Sequence, residues 1–215
     1  MSEDSDNEER INILILGNTA VGKTSYILKY TEDTFQEVYL ATVGIDFKIK
    51  VEKINNVPYR IYFYDTTGQE KYKSISLNMI KNANGIILMY DITNKVSFES
   101  IPEWIESVKN VKGSNFPMIL LGNKIDEEGD RKISKEEGEK LAKNFDIDFF
   151  EISNRDGINI NEAGLAMINK IIEYRQKYNA DYISSNSSKI SADKFSNVGN
   201  STKCCWIYLL EYFQV

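Results

Sequence analysis

The chain has 215 residues, room for one domain of ordinary size and a remainder. Its 26 Lys and Arg stand against 32 Asp and Glu, a formal net charge of −6, which argues against a broad nucleic-acid-binding face and leaves only a local anion site open. The two cysteines, adjacent Cys204 and Cys205, cannot frame a disulfide scaffold or a metal centre, the acidic start MSEDSDNEER is no secretory signal, and nowhere do about eighteen apolar residues run together.

In chain order, apolar runs rich in Ile, Leu and Phe alternate with stretches of helical spacing, the pattern of an α/β chain whose parallel strands are joined by crossover helices. Residues 1–9 are expected to form a disordered acidic N-terminus. Ile11–Leu16 reads as a buried strand, and Lys23–Tyr30 as a helix opening directly after a glycine-containing turn. Strands follow at Ile45–Lys53 and Tyr59–Asp65. The turn-rich Ile54-Asn55-Asn56-Val57-Pro58 between them is short enough for an antiparallel hairpin at the sheet edge. Next come a strand at Gly85–Asp91, a helix at Ser97–Val111, a strand at Pro117–Gly122, a helix at Lys135–Asn144, a strand at Asp148–Ile152 and a long helix at Asn161–Tyr178. Leu165, Ile168, Ile171 and Ile172 recur on one stripe of that helix and read as core. The main domain is thus expected over 10–178. Beyond it, 179–215 is read as a flexible tail carrying the cysteine pair, because up to about Thr202 it is rich in Ser, Asn and Lys with few apolar residues to offset the entropy of ordering.

Between the first strand and the first helix lies Gly17-Asn18-Thr19-Ala20-Val21-Gly22-Lys23-Thr24, two glycines four residues apart followed by Lys and a hydroxyl residue. A turn in that place aims backbone N–H groups and a helix dipole at one spot, which favours a polyphosphate. Lys23 is placed to meet the β- and γ-phosphates, and Thr24, followed by Ser25, to offer a hydroxyl to Mg²⁺, a hard cation that prefers oxygen. This loop names a nucleoside triphosphatase without naming the base.

Asn123-Lys124-Ile125-Asp126 follows a strand, where open α/β sheets bind ligands. One carboxylate, that of Asp126, can accept both the N1–H and the 2-amino hydrogens that guanine presents side by side and adenine lacks. Asp65-Thr66-Thr67-Gly68-Gln69 ends another strand and sets Asp65 beside the Mg²⁺ site, acting through a metal-bound water. Gly68 allows a backbone N–H to approach the γ-phosphate, and Gln69 can orient the attacking water.

With these groups in sequence, residues Ile11–Tyr178 resemble the Ras superfamily of small GTPases, and within it the Rab family of membrane-traffic regulators, especially secretory-pathway members. The Rab-like stretches are Thr42-Val43-Gly44-Ile45-Asp46-Phe47-Lys48 and Gly85-Ile86-Ile87-Leu88-Met89-Tyr90-Asp91-Ile92-Thr93. The resemblance implies an α/β fold of the P-loop NTPase type, three layers αβα, with a six-stranded, mostly parallel sheet and one antiparallel edge strand. It implies GTP and GDP as ligands with Mg²⁺. Thr42 would give its hydroxyl to Mg²⁺ and its N–H to the γ-phosphate, and Phe35 would stack on the base. Ser153-Asn154-Arg155 stands where the family has Ser-Ala-Lys, a loop whose middle N–H reaches guanine O6. It also implies a nucleotide exchange factor, a GTPase-activating protein, a GDP-dissociation inhibitor and effectors acting through the switch regions. The chain would then cycle between cytoplasm and the cytoplasmic face of endomembranes or the plasma membrane. With no arginine evident in the phosphate site, hydrolysis is expected to be slow until an activating protein completes it.

The sequence departs from that pattern in places. Thr67 replaces the family's Ala, so either hydrolysis is impaired or the hydroxyl participates, as an acceptor of a phosphoryl group. Ala20 is less usual in the phosphate loop, Ala41 lacks a hydroxyl, and Tyr64 and Met79 stand where an aromatic trio with Phe47 would be expected. Ten residues, WIYLLEYFQV, follow the cysteine pair that Rabs carry near their end for prenylation, and two lipid chains are what stable anchoring requires. Two readings stand: the extension is genuine and hinders prenylation, or the working protein ends at Cys205. Three functions stay in view, namely a hydrolysing switch, a guanine-nucleotide-binding scaffold with impaired hydrolysis, and a nucleotide kinase, for which no lid segment is visible.

Overall fold

The computed structural model describes residues 9–35, 46–65 and 73–193. Its six strands are β1 (Glu9–Leu16), β2 (Asp46–Ile54), β3 (Val57–Asp65), β4 (Gly85–Asp91), β5 (Met118–Asn123) and β6 (Asp148–Ile152). They form one sheet in the order β2-β3-β1-β4-β5-β6. Only β2 runs antiparallel to its neighbour, at one edge; the other pairings are parallel. The helices are α1 (Lys23–Glu32), α2 (Lys73–Asn82), α3 (Lys95–Glu99), α4 (Ile101–Lys112), α5 (Lys135–Phe145) and α6 (Ile160–Asp193), with a 3₁₀ helix at Ile125–Asp130. The expected fold class is therefore the observed one. The chain divides into two units, Met1–Tyr174 and Arg175–Val215.

Alternation along the strands builds the layers, because successive side chains point to opposite faces. Ile11, Ile13 and Ile15 of β1 join Tyr26, Ile27 and Tyr30 of α1 and Met167, Ile168 and Ile171 of α6 in one cluster. Leu14 and Leu16 face the other way, against Ile80 of α2, Ile101, Ile105 and Val108 of α4 and Ala142 of α5. β4 is buried at all seven positions, as a central parallel strand covered on both faces must be. Each such Ile or Leu contributes about 1.5–3 kcal/mol by leaving water. The hairpin turns on Asn55 and Asn56, both at positive φ (50° and 65°), which suits a tight two-residue connection whose twist matches the strands.

Five details differ from the sequence expectation. β1 starts at Glu9, two residues early. α2 is absent from that expectation because Ile75, Leu77 and Met79 alternate two by two and hide the helical period. The helix expected over Ser97–Val111 is two helices: Pro102, at the start of α4, has no N–H to bond the carbonyl of Phe98, and the chain restarts at Ser100. In α6 the buried stripe is Ala163, Met167, Ile168 and Ile171, whereas Leu165 is 40 % exposed. At 3.6 residues per turn Leu165 lies about 120° round the helix from Ile171. That helix, expected to end at Tyr178, continues to Asp193, no Gly or Pro interrupting it after Gly164.

Candidate functional site

The loops that carry the motifs leave the carboxyl ends of β1, β3, β5 and β6. In a parallel sheet those ends face one way, and β1 sits where successive strands are laid to its two sides, the usual place for a ligand crevice.

The phosphate loop is held in shape by positive φ at Gly17 (149°), Ala20 (63°) and Gly22 (101°). A Cβ on Gly17 would lie 2.2 Å from the Met89 carbonyl oxygen, and one on Gly22 would lie 2.2 Å from Asn123 Nδ2, so both positions require glycine. Ala20 takes the left-handed conformation at a cost that glycine would avoid. Gly22 caps α1 with no side-chain hydrogen bond, and the first turn of the helix opens directly from the loop, the usual place for a phosphate to meet backbone N–H groups. Lys23 is buried, and its Nζ donates to the carbonyl oxygens of Gly17 (2.9 Å) and Asn18 (2.8 Å), folding the ammonium across the loop. Thr19 and Ala20 are exposed, Val21 is core and Ser25 is half-buried.

Asn18 anchors the loop sideways. Its Nδ2 donates to Ser100 Oγ (3.1 Å), and its Oδ1 accepts from the Trp104 indole N–H (3.2 Å), tying the loop to the break between α3 and α4. Nothing in the sequence announced this contact, which spans more than eighty positions.

Thr24 Oγ1 donates to Asp65 Oδ2 at 2.6 Å, across 41 positions of sequence. A hydroxyl and a carboxylate side by side suit Mg²⁺, which takes one or two protein oxygens and keeps several waters. A cavity of about 140 Å³ bordered by Thr24, Asp65, Lys48 and Phe47 adjoins them, room for several waters.

Asn123 is buried at the end of β5, and its Nδ2 donates to the Val21 carbonyl (2.8 Å). Lys124 follows at positive φ (73°) and turns the chain into the 3₁₀ helix, where Asp126 lies. The Asp126 Oδ1 accepts from Ser153 Oγ (2.7 Å), and its Oδ2 lies 3.8 Å from the Arg155 guanidinium. Ser153 Oγ also accepts from the Asp156 N–H (2.9 Å), so one hydroxyl fixes both the β6 loop and the carboxylate. Asn154 is buried, and its N–H reaches Asn123 Oδ1 at 3.4 Å.

The structure thus brings together the residues chosen from 17–25, Asp65, Asn123, Lys124, Asp126 and 153–155. Phe35 is exposed beyond the end of α1. Thr42, Thr67, Gly68 and Gln69 lie outside the described residues, as do Cys204, Cys205 and 206–215. Missed from sequence were Asp91, which pairs with Lys124, the Asn18 anchors, and the side chain of Asn154. Among the described residues no helix is long and apolar enough to cross a membrane.

A family model described as Ras family matches residues 12–173. Ras-related protein Rab-13 of Rattus norvegicus is 39 % identical over 194 residues, covering 89 % of this chain and 94 % of that protein. Ras-related protein Rab-3A of Homo sapiens is 39 % identical over 172 residues, 80 % of this chain and 78 % of its own length. Ras-related protein Rab-3C of Bos taurus is 40 % identical over 162 residues, 75 % and 71 %.

Proposed function

The chain belongs to the Ras family and, within it, to the Rab branch of small GTPases, and from that premise we propose that it binds GTP and GDP with Mg²⁺, hydrolyses GTP slowly, and acts as a switch in vesicle trafficking. The observation that carries the reading is the 2.8 Å bond from Asn123 to the Val21 carbonyl. It fastens the guanine-reading segment to the phosphate loop, so that one ligand with a guanine at one end and phosphates at the other spans both.

In this reading Asp126, oriented by Ser153, accepts from guanine N1–H and the 2-amino group, and the 153–155 loop offers an N–H to O6. Lys23 swings from its loop carbonyls to the β- and γ-phosphates, joined by N–H groups at the start of α1. Thr24 and Asp65 would hold Mg²⁺, together with Thr42. When bound, the ion supplies neutralisation of charge on the phosphate oxygens. Gln69 orients the attacking water and Gly68 offers its N–H to the γ-phosphate, so catalysis is positioning plus electrostatics. An activating protein completes it; an exchange factor, a GDP-dissociation inhibitor and effectors use the switch segments. If the working protein ends at Cys205, prenyl groups on Cys204 and Cys205 attach it to the cytoplasmic face of membranes; if 206–215 is retained, prenylation is hindered.

Competition binding on purified protein with Mg²⁺ tests this: guanine nucleotides should win over adenine nucleotides by about 10⁴-fold, and a preference for ATP would overturn it. Thr67 favours a second reading, a guanine-nucleotide-binding scaffold. Single-turnover hydrolysis that stays undetectable with Gln69 intact would select it.

A further inference from the structure

Asn154 stands out because its side chain, only 3 % exposed, is turned toward the phosphate loop and not toward the base-reading carboxylate. Its Nδ2 donates to the Gly22 carbonyl at 3.0 Å, bridging 132 positions of sequence. The same oxygen accepts the Tyr26 N–H at 2.9 Å, the first hydrogen bond of α1, so both of its lone pairs are engaged. The other end of the amide, Oδ1, is buried and has no hydrogen-bond partner. Rotating the amide by half a turn would set Oδ1 against the Gly22 oxygen, acceptor to acceptor, so the contact with Gly22 fixes the orientation. A buried acceptor left without a donor is costly, and the structure tolerates it here.

Asn123 makes the parallel contact one residue earlier, Nδ2 to the Val21 carbonyl, and its Oδ1 receives the Asn154 N–H. Two amides from the ends of β5 and β6 thus grip consecutive carbonyls of the phosphate loop. The fit leaves no slack: a Cβ on Gly22 would lie 2.8 Å from Asn154 Nδ2. The alanine that the family pattern has at this position has no donor with which to make the second contact.

We propose that Asn154 is a positioning residue that latches the base-reading loop to the phosphate loop, and that its side-chain amide slows the release of guanine nucleotide. The inference rests on the functional reading above. Release requires the 153–155 loop and the loop at Gly22 to separate, and the Nδ2 bond holds them together from outside the nucleotide.

The test is the dissociation rate of a fluorescent GDP analogue from full-length protein with Mg²⁺ and excess unlabelled GDP, comparing the parent with Asn154→Ala and Asn154→Asp. Asn154→Asp keeps shape and size but exchanges the amide donor for a negative charge facing the Gly22 carbonyl, so a parental rate in it excludes the hydrogen bond, and its fast release counts only together with that of the uncharged Asn154→Ala. Both variants should release nucleotide about tenfold faster. A parental rate in Asn154→Ala overturns the proposal, and so does a parental rate in Asn154→Asp alongside fast release in Asn154→Ala, because packing then suffices. Should either variant fail to fold, the other carries the test together with the side-chain NH₂ signal of the parent. A second readout is the Asn154 side-chain NH₂ signal in ¹⁵N-resolved NMR of the GDP-bound parent, which should show protection from solvent exchange; rapid exchange overturns the bond directly. A parent that retains no guanine nucleotide removes the functional reading and this inference together, whereas a parent that binds, with variants that release no faster, removes this inference alone.

Discussion

The Nζ of Lys124 lies 2.6 Å from Oδ2 of Asp91, a carboxylate almost wholly buried at the end of β4. The other oxygen of Asp91 accepts the N–H and the hydroxyl of Thr93, each at 2.8 Å. A buried carboxylate with that many partners is stable, and it holds the Lys124 ammonium at the carboxyl end of β4. Replacing Asp91 by Ala removes the partner of Lys124 and leaves the donors of Thr93 unsatisfied. The loss of stability should be about 3 kcal/mol in urea unfolding of the GDP-loaded protein, and nucleotide release should quicken.

Asn18 offers a spectroscopic handle on the phosphate loop. Trp104 donates to it, and the only other tryptophan is Trp206. In a Trp206→Phe background, stripping nucleotide with a chelator should change the emission of Trp104. Asn18→Ala should remove about 1 kcal/mol of anchoring and abolish most of that change. An emission indifferent to nucleotide would show that the anchor does not follow the loop.

In the proposed function, base selectivity rests on Asp126 as an acceptor for two adjacent donors. Asn in its place keeps the shape but exchanges one acceptor for a donor, which matches the 2-oxo group of xanthine. Asp126→Asn should lose guanine nucleotide affinity by about 10³-fold or more and gain xanthine nucleotide affinity, read by competition with a fluorescent analogue. Unchanged selectivity would mean that the base is read elsewhere.

Tyr90 makes a prediction of opposite sign. Its hydroxyl is buried with no hydrogen-bond partner, wedged between β5 and α5 where a Cβ on Gly122 or Gly138 would lie 2.7 Å or 2.6 Å from it. Burial raises its pKa, so it stays protonated and neutral at any physiological pH. Tyr90→Phe removes the orphaned group and keeps the ring packed edge-on against Phe98. The variant should be as stable as the parent or more so, by up to about 1–2 kcal/mol, in urea unfolding. A clear loss would reveal a partner for that hydroxyl.

Much of the fold is written locally. Seven consecutive apolar-to-acidic residues at Gly85–Asp91 specify a central strand, and Asn55-Asn56 between two strand patterns specifies a hairpin. The motifs at 17–24 and 123–126 are legible because phosphate and guanine each call for particular groups at fixed spacing along a few residues, whereas 153–155 is picked out only by the resemblance to the family. Leu165 was misplaced, and α2 missed, because a period read over a few turns is blurred by apolar residues off the buried stripe.

What the sequence alone determined was which chemistry is present: a loop that suits phosphates, a carboxylate that suits guanine, and the order of strands and helices that carries them. Only the tertiary structure decided how these groups are held. Asp91 on Lys124, Ser100 and Trp104 on Asn18, and Asn154 on Gly22 join residues from 33 to 132 positions apart, and an amide or carboxylate can serve such a role only when packing strips it of water and fixes its partner.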